Sequence, residues 1–281
     1  MVERAVAAEI NFDYLRETYF AFGKNVPYPL KCGVELQIHP VLLEDSLIFN
    51  SSYGILNIDK NSSSDPEIIS MSYLKFLFKE KISEPYYKQQ LFNICNLCLG
   101  LKSPYIKINE KNKPVLYELG ENGILLFITQ KEFEDIRRII LYQNLPDFDD
   151  EYINPELKKA MQEQDELKIK NIEIPSLERK INIISSHTGI TLEQQLHMTM
   201  RNHILLFKEV AGEVNFQATK AISLYAQKPD AIQWIYPKKQ GKFDEYITSV
   251  EDYNKSFGGD GSIQALSDTK VQNIINKFDN Y

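Results

Sequence analysis

Four groups of residues in this chain of 281 residues have types that could do chemistry. Cys95-Asn96-Leu97-Cys98 is a Cys-x-x-Cys pair, a spacing that serves as a redox dithiol or as half of a zinc site. His187, His197 and His203 are three of the chain's four histidines and fall close together. Asp147-Phe148-Asp149-Asp150-Glu151 clusters carboxylates on a short segment, which suits a hard divalent cation. Phe257-Gly258-Gly259-Asp260-Gly261-Ser262 has the glycine content of a phosphate-binding turn.

Spacing weakens each of these readings. A structural zinc site needs a second ligand pair, and Cys32 and His39 are the outlying candidates. Cys95 and Cys98 sit inside an apolar helical run, so both sulfurs face the core as i and i+3, where cysteine acts as a small hydrophobe. His-x9-His-x5-His matches no zinc spacing, and a general base needs a positioned partner that the segment does not offer. Surface or capping histidines are the expectation. The acidic run lacks the glycine and the distal Glu of an EF-hand loop and reads as a solvated tether. No Lys-Ser/Thr follows the glycines, and neither GxSxG nor HExxH occurs. The sequence therefore assigns no catalytic residue, metal ligand or cofactor and predicts a protein that is not an enzyme. The alternatives are a metal-binding protein or enzyme using Cys95 and Cys98, or a general cytoplasmic adaptor.

The elements around these residues read as an α+β fold. Phe12, Leu15, Tyr19 and Phe22 mark one side of a short helix that Gly23 stops. The alternation Val34, Leu36, Ile38 predicts a hairpin. Val41–Ser52 reads as a helix with Leu42, Leu43, Leu47 and Ile48 as its apolar set. Asp65-Pro66 opens a helix carrying Ile68, Ile69, Tyr73, Leu74, Phe76, Leu77 and Phe78, apolar nearly all round and so central. A further helix runs from about Pro85 to Leu101. Three short runs between 105 and 128, split by two turn clusters, predict a β-meander. Thr129 and Glu132 form a capping-box pattern ahead of Phe133, Ile136, Ile139 and Ile140. Asn144–Pro155 is the clearest boundary, and a charged helix follows over Pro155–Lys170. Ser176 caps the next helix, Gly189 ends it, Thr191 with Gln194 is a second capping-box pattern, and a long helical region covers Met200–Ala226. The expected organisation is a mixed domain over 1–143, an acidic tether and charged helix over 144–175, a mainly helical domain over 176–237, and a polar extension over 238–281.

Composition narrows the function classes. The chain is 43% hydrophobic and 25% charged, which is globular. Lys+Arg against Asp+Glu gives 32 − 39 = −7, which argues against general binding to nucleic acid or an anionic membrane. The three cysteines are not spaced as a secreted framework, the N-terminus lacks the signal-peptide pattern, and no run approaches about 18 apolar residues. A soluble protein in a reducing cytoplasm is expected. Beyond the glycine linker, Val271, Ile274, Ile275 and Phe278 make Ser267–Tyr281 an amphipathic helix. Such a helix can lay its apolar face into a partner's groove, so these four are the candidate partner-binding residues.

Several patches carry a family resemblance. The order from a Pro-rich strand through "LQIHPVLLEDSLIFN" to "LNIDKNSSSDPEIISMSYLKFLF" resembles the start of tail and baseplate assembly chaperones, and of related minor tail proteins, of large tailed bacteriophages. The matching positions are Ile38, Pro40, Val41 and Asp45. "ISSHTGITLEQQLHMTMRNHILLFKEV" is similar to a helix pair near the end of such proteins, at Ile184, Ser185, Gly189, Ile190 and Thr191. The single Trp, in "AIQWIYP", has the same look. The resemblance implies a role without catalysis in tail or baseplate morphogenesis, as an assembly chaperone or a minor virion subunit, in the host cytoplasm or the tail. Its implied partners are other tail or baseplate proteins, with self-association left open and neither nucleic acid nor membrane expected.

Overall fold

The computed structural model describes residues 10–120, 123–150, 155–169, 173–225 and 235. The fold is α+β, with two small antiparallel sheets among the described residues. The chain divides into two compact units, one of Met1–Pro155 with Glu173–Trp234 and one of Glu156–Ile172 with Ile235–Tyr281.

In the first unit, α1 (Phe12–Leu15) is capped by the Asn11 side chain and runs on as a π turn over Arg16–Phe20. A π turn holds one extra residue, which rotates the following side chains. Phe20 is therefore the buried aromatic and Phe22, expected on the apolar side, is 67% exposed. Gly23 has φ +62, and a Cβ there would lie 2.9 Å from the Thr199 methyl, so glycine is required on both counts. Strands β1 (Val26–Pro29) and β2 (Glu35–Ile38) pair antiparallel, with Leu36 and Ile38 inward.

The segment after β2 begins as a 3-10 turn and becomes α2 (Ser46–Ser52). Leu43 and Phe49 are buried, whereas Leu47 and Ile48 are exposed, which corrects half of the expected apolar set. Helix α3 (Pro66–Ser70), capped by Asp65, is separate from α4 (Tyr73–Phe76). Met71 is extended and the Ser72 hydroxyl accepts from Lys75 N, so a new N-cap interrupts the single helix that the apolar run suggested. The central part of the run is α4, with Tyr73, Leu74, Phe76 and Leu77 all buried. The Tyr73 hydroxyl donates to Ile55 O and accepts from Ile58 N, while the Arg137 guanidinium stacks 4.2 Å from its ring. Burial raises its pKa to about 12.

Helix α5 (Pro85–Leu99) ends at Gly100, whose φ of +66 lets Leu101 N reach back to Cys95 O. Strands β3 (Pro104–Ile108), β4 (Pro114–Gly120) and β5 (Gly123–Ile128) form the expected meander, in the order β3-β4-β5. Leu116, Leu126 and Ile128 are buried, and β4 packs on α4 and on α6 (Gln130–Asn144). The Thr129–Glu132 capping box is formed, and Glu132 also accepts from Lys31 N at 2.6 Å. The buried Asn144 accepts from Val41 N at 2.8 Å and donates to Ile140 O.

Two further helices, α8 (Leu177–Thr188) and α9 (Leu192–Leu196), lead into α10 (Met200–Tyr225). Ser176 caps α8, Gly189 ends it in the left-handed conformation, and Thr191 with Gln194 forms the second capping box. These helices share the first unit with residues 10–150. Leu43 N bonds Met198 O, Met200 N bonds Val41 O at 2.8 Å, and Arg201 Nη1 bonds Tyr142 O at 2.8 Å. The acidic run is exposed at Asp147, Asp149 and Asp150, as a solvated segment would be, and it also makes contacts of its own. Asp147 pairs with Lys208, Asp150 pairs with Arg138 and Tyr142, and Phe148 packs edge-on to Tyr142. In the second unit, α7 (Pro155–Ile169) is the charged helix read from the sequence.

Candidate functional site

Cys95 and Cys98 point into the core, 1% and 0% exposed. Burial raises both thiol pKa values, Cys95 to about 12 with a further push from the Glu118 carboxylate, and Cys98 higher still. A thiolate is the reactive form and the metal-binding form, so this environment suppresses both chemistries. Glu118 is itself buried, with its oxygens bonded to Lys102 N and Ser103 N. Among the described residues, no three His, Cys, Asp or Glu side chains stand together as a metal cluster.

The three histidines do not converge. His187 lies exposed on the last turn of α8, its Nδ1 3.0 Å from Ile183 O, as a capping residue. His197 is exposed beside Glu44, at 3.8 Å. His203 departs from the expectation of a surface or capping role, being 2% exposed with no hydrogen-bond partner at Nε2. Its position on α10 turns it inward, and burial, then the charge of Lys180 on α8, lowers its pKa. A lone neutral imidazole with a lysine for company has no group to relay a proton to. The proposed partner-binding residues Val271, Ile274, Ile275 and Phe278, and the glycine linker before them, lie outside the described residues.

What the structure brings forward is the second half of α10. Met200, Ile204, Phe207, Ala211, Val214, Ala218 and Ala221 repeat at alternate spacings of four and three, the pattern of a helix-packing seam. Over the first half, α8 lies along the helix. Lys180 Nζ sits 5.6 Å from the Phe207 ring, and Met200 and Val210 are buried. Past Val210 the exposure rises: Val214 is 42% and Ile222 66% exposed, and Ala218 and Ala221 are exposed too. Glu213 and Lys220 are the only charged residues from 211 to 222. An exposed helical stretch with so little charge is a surface that favours cover. On α2, Leu47 at 72% and Ile48 at 46% add a second exposed apolar pair.

Neither surface was named by sequence reasoning. The four-three spacing was the available signal for α10, but a list of apolar positions does not say where the neighbouring helix stops. No family model matches this sequence, and no similar curated protein or solved structure was found.

Proposed function

We propose that this chain works by binding other proteins rather than by catalysis, as a morphogenesis protein of a phage tail or baseplate. In that role it is an assembly chaperone or a minor structural subunit of the virion. The observation that supports binding is the stretch of α10 beyond Val210, where a seam pattern continues into solvent with Val214 and Ile222 exposed and only Glu213 and Lys220 charged. Covering Val214 and Ile222 would transfer apolar surface out of water at about 25 cal/mol per Å², the usual driving force of association. The tail assignment itself rests on the sequence resemblance at Ile38, Pro40, Val41 and Asp45 and at Ile184, Ser185, Gly189, Ile190 and Thr191.

The test is affinity capture of the full chain from producing cells, with mass spectrometry of the bound proteins and of purified particles. Tail or baseplate proteins are expected with the wild type, and their loss is expected with Val214→Gln, Ile222→Gln. Recovery of no tail protein from either source would reject the phage reading. Unchanged recovery with the double variant would reject α10 as the surface.

A further inference from the structure

The outer face of the three-stranded sheet has a composition that its fold does not require. One face of an antiparallel sheet is ordinarily buried and the other polar. Here Leu116, Leu126 and Ile128 fill the buried face. The opposite face carries Tyr105, Tyr117 and Phe127 in one row across β3, β4 and β5, paired 105 to 117 and 117 to 127. Tyr105 and Tyr117 stack at 5.5 Å and 22°, and Phe127 lies 6.4 Å from Tyr117. Leu119, 50% exposed, and Leu125, 62% exposed, add aliphatic surface toward the β4–β5 end, whereas Val115, two residues before Tyr117, is 3% exposed. Cross-strand packing within the sheet explains the ring contacts but leaves the exposed leucines unaccounted for.

Charge surrounds this apolar face in an uneven way. Segment 102–118 holds Lys102, Lys107, Lys111 and Lys113 against Glu110 and Glu118, formally 4 − 2 = +2, in a chain of −7. Glu118 is turned into the core, so Glu110 is the one acid among four exposed lysines. The hairpin turn is held by its own bonds. Asn109 Oδ1 accepts from Lys111 N and Lys113 N, and Asn112 takes a left-handed φ of 55°. Lys107, Lys111, Tyr105 and Tyr117 line a shallow open cavity of about 430 Å³ together with Ile108, Asn109 and the single acid Glu110.

We infer that the outer face of β3 and β4, with the Asn109–Lys113 turn, is a docking surface for an acidic, aromatic-bearing segment of another protein. Charge complementarity selects the occupant: carboxylates meet Lys107 and Lys111 while a ring or aliphatic side chain covers Tyr105, Tyr117 and Leu125. A second copy is disfavoured because this face would meet its own lysines. A nucleic-acid strand is disfavoured because Tyr105 and Tyr117 stack on each other rather than standing open for bases. This surface is separate from α10 and does not depend on the tail assignment.

The test uses the full chain and a fluorescently labelled random copolymer of glutamate and tyrosine, read by anisotropy at low salt. Expected are saturable binding that weakens with salt and at least tenfold weaker binding by Lys107→Glu, Lys111→Glu at unchanged Tm. Tyr117→Ser is expected to weaken binding of the copolymer but not that of polyglutamate. Val214→Gln, Ile222→Gln should bind the copolymer as the wild type does, which separates this surface from the one on α10. The inference is overturned by equal binding of wild type and charge-reversal variant, by polyglutamate binding as tightly as the copolymer, or by tighter binding of oligothymidylate. A sedimentation coefficient that falls on charge reversal would assign the face to self-association and overturn it as well.

Discussion

Residues Met200 to Val210 and residues Ala211 to Ile222 lie on one helix, carry one apolar spacing, and differ in what stands opposite them. Along the first stretch α8, Val41 and Tyr142 supply packing and hydrogen bonds, and even Arg201 and His203 are buried. Along the second, Val214, Ala218 and Ala221 of that spacing meet solvent, as does the adjacent Ile222. An amphipathic pattern states which side chains share a face. Whether that face becomes core depends on the length of the neighbouring element, and α8 is 12 residues against 26 for α10.

The comparison can be broken by substitution. Met200→Ala removes buried volume and should cost about 2–4 kcal/mol, whereas Val214→Ala should stay within about 0.5 kcal/mol, both read by urea denaturation. Equal costs would erase the distinction between the halves. Next in size is an acid effect confined to the packed half. The folded pKa of His203 lies below its ordinary 6.5, so the unfolded chain takes up the proton first. Stability is then full above pH 6.5 and falls as pH drops toward the folded value, by up to about 1.4 kcal/mol per unit within that window. His203→Gln should flatten this part of the pH profile, and Lys180→Gln should narrow the window. A profile unchanged by His203→Gln would place the acid sensitivity elsewhere.

Smaller still is the link between the acidic run and α10. Lys208 and Asp147 are both largely exposed, so Asp147→Asn should cost about 0.2–1 kcal/mol and less at high salt. The smallest stability change is expected for Val214→Gln, Ile222→Gln, within about 0.5 kcal/mol by the same denaturation. Its effect should appear in partner capture alone. A large loss of stability there would mean that the second half of α10 is already part of the protein's own core.

Local signals were read correctly where they close on themselves. The Thr129–Glu132 and Thr191–Gln194 boxes, the Asp65 and Ser176 caps, the Gly189 terminus and the three-strand meander need only residues a few positions apart. In helix α6 the expected Phe133, Ile136, Ile139 and Ile140 are all buried, and Leu141, Gln143 and Asn144 are buried beside them. In α2 the sequence pointed to Leu47 and Ile48, whereas packing on α5 buries Phe49. The break between α3 and α4 was hidden because Ser72 competes as a cap inside an otherwise continuous apolar run.

The sequence by itself determined the α+β class, most element positions and the burial of Cys95 and Cys98, because composition, caps and periodicity act over one or two turns. Tertiary structure decided what each element faces. It buried His203, paired Asp147 with Lys208 and Asp150 with Arg138, joined α8–α10 to the mixed sheet-and-helix part, and left Val214 and Ile222 of α10 and Leu119 and Leu125 of the sheet exposed. Burial and pairing depend on groups remote in the chain, and a local pattern carries no record of where those groups come to rest.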